Sequence, residues 1–287
     1  MLKTRIITAC ALFAGLLAAV FLLPHRGWLI LCALLGGAAA WEWGGLMRWG
    51  QVARIVFVLA MLALCALCIR DSSIYRYFPD MAKLSLARKF FAIEIAGRPV
   101  VFSFKHIMYG FMLLFWLVLI PCWLHYKWRL RGVAAAAVGL IVLVPPTVAM
   151  TDLGGVRPWG LLGALAVAWV ADIAAYFSGR AWGRHKLAPA ISPGKTWEGA
   201  LGAVIAVMVY GVLWLHGLVG SGLVATLAFL AVLTVASILG DLFESLLKRQ
   251  AGVKDSGSLL PGHGGILDRV DSQTATLPLI VFGLFYL

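Results

Sequence analysis

Apolar runs close to the length that crosses a bilayer, about 20 residues, recur along this whole chain, and no other feature limits its fold as strongly. They fall near residues 6–23, 28–46, 55–69, 107–124, 133–150, 159–178, 198–219, 223–241 and 270–287. Inside a membrane every backbone N–H and C=O must find a partner within the protein, which leaves helices for runs of this length. The expected fold class is therefore all-α: a polytopic integral membrane protein of about nine transmembrane helices. Charged residues make up only 13% of the chain, against about a quarter in soluble domains. The third run is short and extends back towards Val52, and Pro145-Pro146 should kink the fifth. The first run follows Lys3 and Arg5 as a signal peptide would. It lacks a small-x-small cleavage site before Pro24, so it is expected to remain as a span.

The remaining composition narrows the function. All five cysteines lie in or beside apolar runs, and the Cys65/Cys68 spacing has no second pair to complete a zinc site. A formal net charge of +12 fits cytoplasmic Lys and Arg facing anionic lipid, and no nucleic-acid partner is expected. With the N-terminus in the cytoplasm, 15 of the 24 Lys and Arg fall inside. Of the nine outside, seven lie in one long connection, residues 70–106, so the short loops alone divide 15 to 2. That bias sets the orientation. The chain then divides into an N-terminal transmembrane region, 1–150, with the external loop 70–106, and a C-terminal region, 151–287, whose polar loops 179–197 and 242–269 face the cytosol. The external loop carries Tyr75, Tyr77, Phe78, Phe90 and Phe91, a composition suited to the membrane interface.

The chemistry is concentrated. Five of the twelve carboxylates fall in the 31 residues from Asp241 to Asp271, with Lys248, Arg249, Lys254, Arg269 and His263 among them. In so apolar a chain these charges must be held by one another, by a metal or by a ligand. If the eighth span continues as a helix, Ser237, Asp241, Glu244, Ser245 and Lys248 share one face. Asp268 and Asp271, three apart at the start of the ninth run, suit helix capping, which explains one carboxylate comfortably and two less well. Asp241 and Asp268 flank one loop, and hard oxygen ligands there suit magnesium, which takes one or two carboxylates plus substrate phosphates. The turn Pro261-Gly262-His263-Gly264-Gly265 permits close backbone approach to a ligand, and His263 between those glycines suits a phosphate-binding or catalytic role. Pro193-Gly194-Lys195-Thr196 resembles the tail of a Walker A motif, but the upstream glycine is missing. Asp172, late in the sixth run, is either a functional acid or the buried partner of a cation. Glu42, in Trp41-Glu42-Trp43, is better explained by a structural ion pair. Carboxylates, clustered cations and a Gly-rich turn at a membrane surface describe phosphoryl or nucleotidyl transfer between a soluble charged substrate and a lipid. The residues do not choose the nucleotide, and a nucleotide-dependent polyprenol kinase and an ion transporter remain as alternatives.

The stretch Ser245-Leu-Leu-Lys248-Arg249-x4-Lys254-Asp255-x-Gly257-x3-Pro261-Gly-His263-Gly-Gly-Ile-Leu-Asp268-Arg269-Val-Asp271 resembles the signature of the phosphatidate cytidylyltransferases, or CDP-diacylglycerol synthases. Asp172-x3-Tyr176-x2-Gly179-Arg180 and the following Gly183-Arg184-His185-Lys186 to Ser192-Pro-Gly-Lys195-Thr196-Trp197-Glu198-Gly199 is similar to the same family. Together they cover about 40% of the chain, and the start is similar to bacterial members more weakly. The resemblance implies conversion of CTP and phosphatidic acid to CDP-diacylglycerol and pyrophosphate, with magnesium and with or without a second cation. It also implies a homodimer in a bacterial inner membrane with the site facing the cytosol. It implies a metal on Asp241 and Asp268, with Lys248 and His263 as further catalytic residues. Asp172, Ser192, Lys195, Ser245, Arg249, Lys254, Asp255, Arg269 and Asp271 are implied to bind substrate.

Overall fold

A computed structural model describes residues 2–77, 92–95, 98–101, 104–154, 158–214, 222–260, 262 and 264–286. Long helices dominate: α1 (Leu2–Leu22), α2 (His25–Leu46) and α3 (Gln51–Tyr77) open the chain. A hairpin of β1 (Ala92–Ile95) and β2 (Arg98–Val101) follows. Next come α4 (Phe104–Leu114), a π-helical turn (Phe115–Leu119), α5 (Ile120–Tyr126), α6 (Gly132–Gly154) and α7 (Pro158–Trp182). A second hairpin, β3 (Lys186–Ala188) and β4 (Ser192–Thr196), leads into α8 (Trp197–Trp214), α9 (Leu223–Ala251) and α10 (Leu267–Tyr286).

These helices answer the nine apolar runs in position, with two differences. Six of the spans among the described residues are long and apolar enough to cross a membrane: α2, the Gln51–Ile69 part of α3, the unit Phe104–Tyr126, α6, α7 and α9. The described part of α1 and α8 form shorter apolar helices, and α10 carries Pro278 and the polar stretch Asp268 to Thr276. The second difference lies in the connections. Residues 70–77 prolong α3, and the connections 70–106 and 179–197 each contain a two-stranded hairpin within an otherwise all-α fold. Of the aromatic residues expected at the interface, Phe78, Phe90 and Phe91 lie outside the described residues.

Local sequence explains the irregularities. Pro121 lacks an N–H and its ring displaces the carbonyl one turn back, and the π-helical turn sits immediately ahead of it. Pro145 and Pro146 lie inside α6, which continues through them to Gly154. Nearby, Thr147 Oγ1 donates to Leu143 O at 2.8 Å and Thr151 Oγ1 to Val148 O at 2.7 Å. At the far end of α6, Lys105 is buried with Nζ 2.7 Å from Asp152 Oδ1, and Tyr109 donates to the same carboxylate at 3.0 Å.

The core steadies the helix that bears the polar residues. Phe243 is buried among Trp43, Trp116 and Trp123, with ring centroids 6.5, 6.0 and 5.7 Å away. The contacts to Trp116 and Trp123 are edge-to-face and that to Trp43 is tilted; aromatic pairs of this kind add to the area they bury, so α9 is locked to α2, the π-turn and α5 two residues beyond Asp241. Gly240 brings α9 against α10: a Cβ there would lie 2.7 Å from the carbonyl oxygen of Asp271.

Candidate active site

α9 runs unbroken from the apolar core to Ala251, so the helix expected past Asp241 is present. It ends where Gly252 adopts a left-handed φ of +73°, with its N–H on Arg249 O and that of Val253 on Lys248 O. This is the glycine C-cap that satisfies the last carbonyls of a helix. Along the expected face, Ser245 Oγ donates to Asp241 Oδ1 at 3.1 Å. Lys248 Nζ lies 3.3 Å from Glu244 Oε2 and 2.6 Å from Asp268 Oδ1. Glu244 is buried, and among the described residues its carboxyl meets only Lys248 and the neighbouring Asp271 carboxyl. The hydroxyls of Ser237, Ser272 and Thr276 are buried without a partner.

The hairpin β3–β4 supplies the opposite wall. Gly183 turns close to the end of α7, where a Cβ would strike Gly179 O. Thr196 Oγ1 accepts from Gly199 N at 3.1 Å and so caps α8. Glu198 holds the hairpin base through His185 Nδ1 at 2.7 Å. Between these anchors β4 projects Lys195, whose Nζ meets Asp241 Oδ2 at 2.5 Å. A cavity of about 440 Å³ opens here, lined by Asp172, Tyr176, Arg180, Ser192, Lys195 and Asp241 among others. Arg180 Nη1 accompanies Tyr176 at its rim, 3.1 Å from the phenol oxygen.

A second cluster forms around Asp268 in the first turn of α10. Its Oδ2 accepts from Ser256 N at 2.8 Å, Gly265 N at 2.8 Å and Ser256 Oγ at 2.9 Å, while Oδ1 receives Lys248. Burial alone would raise the pKa of this carboxyl. Lys248 and the two amides outweigh burial and hold it below the usual carboxylate range, so Asp268 is an anion at neutral pH. Asp271 joins the two clusters, since it lies near the charges of Asp241 and Asp172 and its side chain meets that of Glu244. The result is a charge chain of lysines and carboxyl groups from Lys195 through Asp241, Asp271 and Glu244 to Lys248 and Asp268.

The expected site residues are thus divided. Asp172, Ser192, Lys195 and Asp241 share the cavity, Ser245 touches Asp241, and Lys248, Asp268 and Asp271 lie along the charge chain. Arg249 is exposed and points to the helix end, with Nη1 3.5 Å from Val253 O. Lys254, Asp255 and Arg269 are exposed on the loop and the first turn of α10. His263 lies outside the described residues. Glu42 departs from the ion pair expected of it: it accepts the amides of Ile266 and Leu267 and the Ser256 hydroxyl instead of meeting a cation. Tyr176 and Arg180 stand in the family-like motif after Asp172 but were given no role there, and Ser256 was not singled out from the sequence. A serine in a polar loop carries no signal until the loop is folded.

The carboxylates can be tested as a magnesium site by their donors. Among the described residues no group of three or more Asp, Glu, His or Cys side chains forms a ready cation cage. Asp241 and Asp268 are each neutralised by a lysine, and the donors are hard oxygens. That set fits an ion bound by one or two carboxylates and completed by substrate phosphates.

Comparison with known proteins bears on what these groups do. The model of the cytidylyltransferase family matches residues 3–287. The chain belongs to that family. A phosphatidate cytidylyltransferase of Pseudomonas aeruginosa is 34% identical over 286 residues, covering 97% of this chain and 95% of that protein. The like-named protein of Haemophilus influenzae is 50% identical over 131 residues, 44% of this chain and 46% of that protein. One from Brucella suis is 44% identical over 164 residues, 56% and 60% of the two chains. The last two matches span less than two thirds of the relatives, whereas the first spans nearly all of its relative. The protein is a membrane-embedded enzyme of the cytidylyltransferase family.

Proposed function

We propose that the protein transfers the cytidylyl group of CTP to phosphatidate, giving CDP-diacylglycerol and pyrophosphate in phospholipid biosynthesis. The observation that carries this reading is the family match across residues 3–287, to which the cavity adds the Lys195–Asp241 pair with Asp172 and Arg180, and the start of α10 adds the Lys248–Asp268 pair. An oxygen of the lipid phosphate bonds to the α-phosphorus of CTP. The bond from that phosphorus to the oxygen bridging to the β-phosphorus breaks, and pyrophosphate leaves with the electron pair. The attacking phosphate is ionised near neutral pH, so no strong base is required and positioning and electrostatics dominate.

Lys195, which lines the cavity beside Asp241, and Lys248, held between Glu244 and Asp268, are the lysines that suit phosphate charge. Ser192 and Arg180 line the same cavity and suit the outer phosphate oxygens. Asp241 and Asp268 would hold magnesium, which supplies charge neutralisation to the phosphates when bound. The cation bias of the short loops supports a cytosolic site, on the side where CTP is found, in a bacterial inner membrane. Family resemblance supports a homodimer.

Radiolabelled CTP and phosphatidate in detergent test the reading. Labelled lipid and pyrophosphate in equal amounts are expected, with activity lost in EDTA, restored by magnesium and poorly by calcium. Release of CDP with a phosphorylated lipid would mean γ-phosphoryl transfer instead.

A further inference from the structure

Glu42 belongs to the N-terminal half, on α2, yet its 4% exposed side chain ends against the loop that carries Asp268. Oε1 accepts Ile266 N at 3.0 Å, and Oε2 accepts Leu267 N at 2.8 Å and Ser256 Oγ at 3.1 Å. These amides stand at the N-terminus of α10, where N–H groups have no partner inside the helix and a negative charge is favoured. The cap therefore comes from a residue 225 positions away rather than from the local sequence.

Two glycines make room for it. At Gly257 a Cβ would lie 2.5 Å from Glu42 Oε1 and 2.8 Å from its carboxyl carbon, and at Gly265 one would collide with Oε2. Ser256 Oγ stands between two carboxylates, 3.1 Å from Glu42 Oε2 and 2.9 Å from Asp268 Oδ2. A hydroxyl has one proton to give, so at any moment it serves one of them. The residues Glu42 holds are the same ones, or the immediate neighbours of the ones, that hold Asp268: Ser256 through its hydroxyl, and Ile266 next to Gly265.

We propose that Glu42 is a positioning residue for the reaction: it fixes Ser256 and the first turn of α10 so that Asp268 and Lys248 stay in register. It acts through Ser256 and the amides of residues 266 and 267 and touches no substrate. The proposal rests on the reading of the site given under Proposed function. Small displacements of catalytic groups carry large penalties, about 10²-fold for 1 Å, so loosening the cap should appear in turnover before it appears in binding.

The test uses the full-length protein in detergent and four variants: Glu42→Gln, Glu42→Asp, Gly257→Ala and the double variant Glu42→Asp with Gly257→Ala. Three quantities are read: thermal midpoint, kcat and KM with both substrates varied, and the labelling rate of Leu259→Cys in a cysteine-free background. Glu42→Gln is expected to lower kcat about 10- to 100-fold with KM for CTP changed less than about threefold, and to label faster at position 259. Gly257→Ala crowds the same carboxylate and should lower kcat as well. In the double variant the shorter acid vacates the space the new methyl takes, so its kcat should exceed the product of the two single effects at least about fivefold. Wild-type kcat in Glu42→Gln, or additive single effects in the double variant, overturns the proposal. If Glu42→Gln does not fold, the Gly257→Ala cycle decides it. The labelling arm needs no turnover, so a wild-type protein that makes no CDP-lipid refutes the activity and leaves Glu42's hold on the loop measurable.

Discussion

Asp268 receives four contacts at once, from Lys248, Gly265 N and both polar groups of Ser256, so replacing its charge separates electrostatics from shape. Asp268→Asn keeps the size and should fold, but it offers an amide NH₂ where donors already converge. Turnover is expected to fall at least about 10²-fold, the usual scale for losing one preorganised charge contact. Full activity of the purified variant at limiting magnesium would remove Asp268 from the metal site. Lys248 and Arg249 are neighbours in sequence with opposite surroundings. Lys248 bridges Glu244 and Asp268, whereas Arg249 is exposed at the end of α9. Lys248→Ala should therefore lower kcat by about 10²–10³-fold, and it also leaves the buried Glu244 carboxylate without its cation. Arg249→Ala should mainly raise an apparent KM, tenfold or less. Steady-state kinetics with both substrates varied distinguishes the two, and equal, purely KM effects would contradict the placement of Lys248.

At the scale of elements, the site depends on how closely α9 and α10 approach, and Gly240 is where they nearly touch. Any Cβ there meets backbone, the Asp271 carbonyl and Ser272 Cα, so neither neighbour can yield by changing rotamer. Gly240→Ala should destabilise by about 1–3 kcal/mol, the range for overpacking. It should also depress kcat, because Asp241 and Asp271 flank the displaced contact. Thermal unfolding and turnover on one preparation check both effects, and wild-type values for each would show that the helices have slack. The persistence of α9 beyond the apolar run was legible in the sequence through the spacing of Ser237, Asp241, Glu244, Ser245 and Lys248. The nine helical positions were legible through hydropathy, but their membrane-crossing length was not, since α8 and α10 are apolar or long without being both. The hairpin β3–β4 was hidden because Ser192-Pro-Gly-Lys195-Thr196 has no alternating pattern and pairs over only a few residues. Glu42 could be marked as out of place in an apolar run. Its backbone partners could not be named, because they arrive from 225 residues away.

Over the whole molecule, the two halves meet through long-range polar contacts at one end of the bundle. Glu42 reaches the loop before α10, Arg48 Nη2 donates to Ala251 O at 2.9 Å, and Gln250 Nε2 donates to Lys127 O and Trp128 O at 3.1 Å. The connections after α2 and α5 and the end of α9 therefore share one surface, and the cations Arg48, Lys127, Arg129, Arg131, Lys248 and Arg249 lie on or near it. Arg26, in the first turn of α2, lies at the other end of that helix, which is 22 residues long, or about 33 Å at 1.5 Å per residue. Cations concentrate on cytoplasmic loops, so the end bearing the site should face the cytosol. In a background without Cys10, Cys32, Cys65, Cys68 and Cys122, Ser258→Cys and Arg26→Cys provide one exposed thiol at each end. An impermeant maleimide added to intact spheroplasts should label position 26 and leave position 258 unreacted until the cells are lysed. Labelling of position 258 in intact cells would turn the molecule over and put its cavity on the side without CTP. Because Glu42, Arg48 and Gln250 tie both halves to one surface, that single reversal would reassign every cation named here together.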